Sequence, residues 1–81
     1  MPHALPSLPP VLHEIDVSIV SAEEASLGVA EFWSGDRLIA FTCIEDGDLT
    51  LRIGPSADGV VLGAHALAEA LAEANRLLAL Y

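Results

Sequence analysis

A few residues in this chain are of types and spacings that could do chemistry. His65 and Glu69 stand four apart, which on a helix puts both on one face, as two ligands of a divalent cation would stand. A zinc site needs three or four ligands held by further hydrogen bonds, and His3 and His13 lie far off in sequence. The pair therefore reads as an exposed couple on the first turn of a helix, and no metal is expected. Glu45-Asp46-Gly47-Asp48 is dense in carboxylate but lacks the D-x-D-x-D-G order of a calcium loop, so it reads as a solvated turn. Cys43 has no basic residue near it in sequence and sits in an apolar run, which describes a small packing residue better than a nucleophile. The chain carries no G-x-S-x-G, no phosphate-binding P-loop and no G-x-G-x-x-G. Its Ser, His and Asp residues fall at no spacing that pairs a nucleophile with a base. The expectation is a protein without catalytic residues and without a cofactor.

Charge narrows the partners. Asp and Glu number 12 against three arginines and no lysine, a formal net charge of −9. Binding a phosphate backbone requires clustered Lys and Arg, so direct nucleic-acid binding is not expected, whereas a basic protein partner is. Hydrophobic residues make up 53% of the chain, more than a disordered protein carries. No apolar run approaches the roughly 18 residues of a membrane span, and no basic segment precedes an apolar block, so no membrane role and a cytoplasmic location are expected. A single cysteine fits a reducing compartment and excludes an internal disulfide. A chain of 81 residues makes one small domain with a marginal core, and chains of this size often gain stability by associating.

The elements that must position these residues can be read from pattern. Residues 1–12 hold Pro2, Pro6, Pro9 and Pro10 around Leu5, Leu8 and Leu12, an extended arm that could dock on a neighbouring surface. Residues 13–81 form the domain. Ile15, Val17 and Ile19 alternate with Glu14, Asp16 and Ser18, the signature of a strand with one wet face. Ser21-Ala22-Glu23-Glu24 has the form of a capping box opening a short helical turn. From Gly28 to Ile53 the chain reads as three antiparallel strands, joined by turns at Ser34-Gly35-Asp36 and at Asp46-Gly47. Simple alternation puts Leu38, Ala40, Thr42 and Ile44 on one face of the middle strand and Ile39, Phe41 and Cys43 on the other. A two-residue first turn adds Phe32 to the second group and Trp33 to the first; a three-residue turn exchanges them. Val60–Gly63 adds a short strand, and Leu67, Ala70, Leu71, Ala74, Leu77, Leu78 and Tyr81 form the apolar stripe of a helix from about Ala64.

Val60-Val61-Leu62-Gly63 leading into Leu67, Glu69-Ala70-Leu71, Ala74 and Leu78 resembles the end of the HicB-type antitoxin core, where a strand runs into a helix with a Glu-Ala-Leu start. Gly59–Tyr81 carries the resemblance, about a quarter of the chain. The proline-containing strand motif of that family has no counterpart here, and no DNA-binding segment is expected after the helix. What the resemblance implies is a sheet covered by one helix.

These readings converge on an α+β fold: an antiparallel sheet of four to five strands, built on a meander, with the C-terminal helix packed on one face. A middle strand apolar on both sides expects cover on both, and the chain supplies one helix. The functional expectation is a small acidic interaction module, a homodimer using the sheet face that the helix leaves bare, or a module for a basic protein. Its interface candidates are Phe32, Trp33, Ile39, Phe41 and Cys43. The alternative is a ligand-binding or accessory subunit of a larger enzyme or of an antitoxin or immunity complex, with Glu31, Thr50 and Arg52 as polar groups.

Overall fold

The structure, a computed structural model, describes residues 11–57 and 59–81. The reading of residues 1–10 as a docking arm lies outside them. In chain order the elements are β1 (Val11–Leu12), β2 (Asp16–Ser18), α1 (Ala22–Ser26), β3 (Glu31–Ser34), β4 (Arg37–Glu45), β5 (Asp48–Ile53), a 3-10 turn (Pro55–Ala57), β6 (Val61–Leu62) and α2 (Ala64–Leu78). β2 to β5 form a four-stranded antiparallel sheet in sequential order, and β1 pairs in parallel with β6 as a separate two-stranded ribbon. This is the expected α+β architecture. The expected short strand after the loop is present as β6, but its partner is Val11–Leu12, residues that proline spacing assigned to the arm.

Both turns of the meander have two residues. Asp46 and Gly47 take positive φ of 52° and 82°, the mirror-image turn that matches the twist of its strands. Gly35 supplies the positive φ at the first position of the other turn, before Asp36. Gly28 also has positive φ, and a Cβ there would lie 2.6 Å from Ile44 Cγ1, so the chain leaving α1 passes against β4 where only glycine fits.

The register of β3 on β4 shifts between Phe32 and Trp33: Phe32 pairs with Ala40, but Trp33 pairs with Leu38, leaving Ile39 as an extra residue. Such a bulge turns consecutive side chains toward one side. Phe32, Ile39 and Ala40 are 0%, 0% and 1% exposed and form one core cluster with Ala30, Ala57, Ala70 and Ala74. Ala70 and Ala74 belong to α2, and their small side chains let that helix lie close to the sheet, with Leu67, Leu71 and Leu78 packed around them. The covered face is thus the one holding Phe32, Ile39 and Ala40. Simple alternation had placed Ile39 beside Phe41; the bulge separates them.

Thr42 is the one buried polar residue among those described, at 1% exposure. Its hydroxyl donates to Gly28 O at 2.7 Å and accepts from Ala30 N–H at 2.9 Å, so it pairs two backbone groups that burial would otherwise leave orphaned. Ser21 caps α1 by accepting from Glu24 N–H at 3.1 Å; the reciprocal half of the expected box is not made, and Glu24 Oε2 has no partner.

If the bulge assigns the faces as described, Ile39→Ala should destabilise the domain by about 2–5 kcal/mol, through lost burial and a cavity. Phe41→Ala, outside the core, should cost less than about 1 kcal/mol. Chemical denaturation of the two variants checks this; equal costs, or the reverse order, would mean the faces are exchanged.

Candidate functional site

The face opposite α2 is built from alternate residues of four strands. Asp16 and Ser18 of β2 pair with Trp33 and Glu31 of β3, Glu31 pairs with Phe41 of β4, and Phe41, Cys43 and Glu45 pair with Arg52, Thr50 and Asp48 of β5. Directly paired residues share a face, so these side chains stand together, with Leu38 beside Trp33. None of the apolar ones joins the core or packs against it. Trp33, Leu38, Phe41 and Cys43 are partly exposed.

Of the five residues expected at an interface, this surface collects Trp33, Phe41 and Cys43. Phe32 and Ile39 are fully buried on the opposite face and leave the candidate set. The cause is the bulge, which no turn signal marks. Glu31, Glu45 and Leu38 join the surface, and Leu38 is there for the same reason that Ile39 is absent.

The polar groups of this face hold one another. Trp33 Nε1–H donates to Glu31 Oε1 at 3.2 Å, Cys43 Sγ donates to Glu45 Oε1 at 3.2 Å, and Thr50 Oγ1 donates to Cys43 O at 3.1 Å. Arg52 Nε donates to the same Glu45 oxygen. That bond, with help from Cys43, holds the Glu45 carboxyl below the usual glutamate range and raises the Arg52 guanidinium in return. Cys43 thus stands beside both members of the Glu45–Arg52 pair, its thiol donating to the carboxylate and lying against the guanidinium. Asp16, Glu31, Glu45 and Asp48 surround the apolar centre, and Arg52 is the one cation among these residues.

Elsewhere, His65 Nε2 and Glu69 Oε1 lie 2.8 Å apart as an exposed pair on α2. A cleft of about 420 Å³ between the β2 approach and α2 is lined by His13, Glu14, Asp16, Glu69 and Glu73 among others. Among the described residues no group of three or more His, Cys, Asp or Glu could hold a metal ion. No described helix is long and apolar enough to cross a membrane.

Comparison with protein-family models, with curated proteins and with solved structures finds no match to this chain. The likeness of Gly59–Tyr81 to the HicB-type core therefore rests on those residues alone.

The Glu45–Arg52 bond carries a pH signature. A depressed carboxylate favours the folded state above the unfolded-state pKa, and that contribution disappears as pH falls through the lower folded-state value. Carboxyl titration by NMR should find Glu45 below an ordinary glutamate, and Arg52→Ala should return it toward the ordinary value. A Glu45 indifferent to Arg52→Ala would show that the bond does not form in solution.

Proposed function

We propose that the chain is a small non-enzymatic protein-interaction module that acts through the sheet face opposite α2. The observation that supports this most is the position of Trp33, Leu38, Phe41 and Cys43 outside the core cluster, on a face with no covering helix among the described residues. Contiguous apolar surface rimmed by polar groups is characteristic of binding sites, and tryptophan is enriched where binding energy concentrates. Glu31, Glu45, Thr50 and Arg52 are bonded within the face, which favours docking over chemistry, while Asp16 and Asp48 add carboxylate to its rim.

Two occupants fit the apolar centre: a second copy of the chain and a basic protein. The carboxylates of Asp16, Glu31, Glu45 and Asp48 favour the basic protein, because two such faces in contact would bring like charges together while a cationic surface would meet them with opposite ones. The ligand-binding alternative is less well supported, since Glu31, Thr50 and Arg52 already hold partners on a face that is not a cleft.

The test is affinity capture on the immobilised chain from its native host, run beside Phe41→Glu and Glu73→Ala. A partner of this site should be basic, should be released by raised salt, and should be lost with Phe41→Glu while Glu73→Ala retains it. Once the partner is purified, Trp33→Ala should weaken binding by about 2 kcal/mol, or roughly 30-fold. Capture unchanged by Phe41→Glu, with circular dichroism confirming the fold, would remove this face as the binding surface.

A further inference from the structure

Among the described residues the outer edge of β5 is a second surface without a partner, and it consists of backbone. Across the Asp46-Gly47 turn, Glu45 and Asp48 form the first pair of the ladder, followed by Cys43 with Thr50 and Phe41 with Arg52. In a two-residue hairpin the pair flanking the turn exchanges backbone hydrogen bonds, and so does every second pair beyond it. Gly54 N–H bonding to Ile39 O at 2.9 Å continues that phase. The N–H and C=O groups of Leu49, Leu51 and Ile53 therefore point away from β4, and among the described residues no strand lies beyond β5 to receive them. β5 holds no proline, no lysine and no bulge, and its two charges, Asp48 and Arg52, are of opposite sign.

The side chains on those three residues are also incompletely covered. α2 packs over the β2 side of the sheet, leaving Leu49 at 41% and Ile53 at 56% exposure on the face α2 shares, next to Ile44 at 52%. Leu51 between them is only partly buried.

We propose that β5 pairs antiparallel with β5 of a second copy, about a two-fold axis at Leu51, joining two sheets edge to edge into one of eight strands. The strand is its own complement in this register. Leu51 meets Leu51, and Leu49 meets Ile53 on either side, so each outward N–H and C=O finds a partner and the exposed apolar side chains pack against their own kind. On the opposite face Thr50 stands across from Arg52. The diagonal neighbour that right-handed twist brings closest to each Arg52 is Asp48 of the other copy, within reach of an arginine side chain. Arg52 bonds Glu45 of its own chain through Nε, so the rest of its guanidinium meets Asp48 of the other copy. Two such ion pairs close the seam in this register, and this complementarity selects a second copy over an arbitrary strand. The inference does not use the open-face reading: edge pairing leaves Trp33 and Phe41 uncovered and sets two such faces side by side.

Sedimentation velocity over a wide concentration range at moderate salt tests it, together with hydrogen exchange of the Leu49, Leu51 and Ile53 amides. The wild type should dimerise, with these three amides gaining protection as concentration rises. Ile53→Lys, at an exposed position, should weaken dimerisation about tenfold or more. Asp48→Arg and Arg52→Asp should each weaken it, and the double swap should recover it. The swap keeps the test decisive should Ile53→Lys impair folding. A chain that stays monomeric, or a dimer that ignores the charge swap and leaves the three amides unprotected, would overturn the proposal. Phe41→Glu should leave this dimer intact, which separates its failure from failure of the open face.

Discussion

One extra residue in β4 governs what the single long helix can bury. A regular ladder would have alternated Leu38, Ile39, Ala40 and Phe41 strictly between the faces and split the apolar content of the strand evenly. With Ile39 inserted opposite the Phe32–Trp33 step, Phe32, Ile39 and Ala40 all turn under α2. The core concentrates on one side, where Ala70 and Ala74 allow close approach. The same step that completes the core sends Trp33 and Leu38 to the other side, beside Phe41. A small chain with one covering helix thus obtains a core dense enough to fold and a face with aromatic surface to spare.

The rest of the meander is held so that this register cannot slip. Asp46 and Gly47 fix β4 on β5 by their left-handed backbone, and Thr42 ties β4 to the chain leaving α1 through two buried hydrogen bonds. A one-residue slip would carry Thr42 to the opposite face and leave Gly28 C=O and Ala30 N–H unpaired, at a cost of about 1–3 kcal/mol for each buried group. Gly28, pressed on Ile44, marks the same junction. The fold is therefore over-determined around the bulge.

Much of this was legible in the sequence. The hairpin at Asp46-Gly47 follows from φ preference, the half-wet strand from Ile15, Val17 and Ile19, and α2 from its apolar stripe. The open face was only half legible. Phe41 and Cys43 follow from alternation on β4, since they lie beyond the bulge. Phe32, Ile39 and Leu38 do not follow, because Ile39 joins a core made with Ala57, Ala70 and Ala74 from far along the chain, and Ile39 itself carries no local mark of the bulge. The pairing of Val11–Leu12 with β6 was equally hidden, since two residues are too few to show a period. No residue pattern announced the edge of β5 either; its availability is a property of sheet order.

Binding through this face requires Phe41 and Trp33 to be open to solvent, and one measurement addresses that directly. A soluble paramagnetic agent relaxes protons according to their distance from solvent. The account predicts strong relaxation of the Phe41 ring and the Trp33 indole, with the Phe32 ring and the Ile39 methyl groups silent. Relaxed Phe32 and Ile39 beside a shielded Phe41 would contradict it.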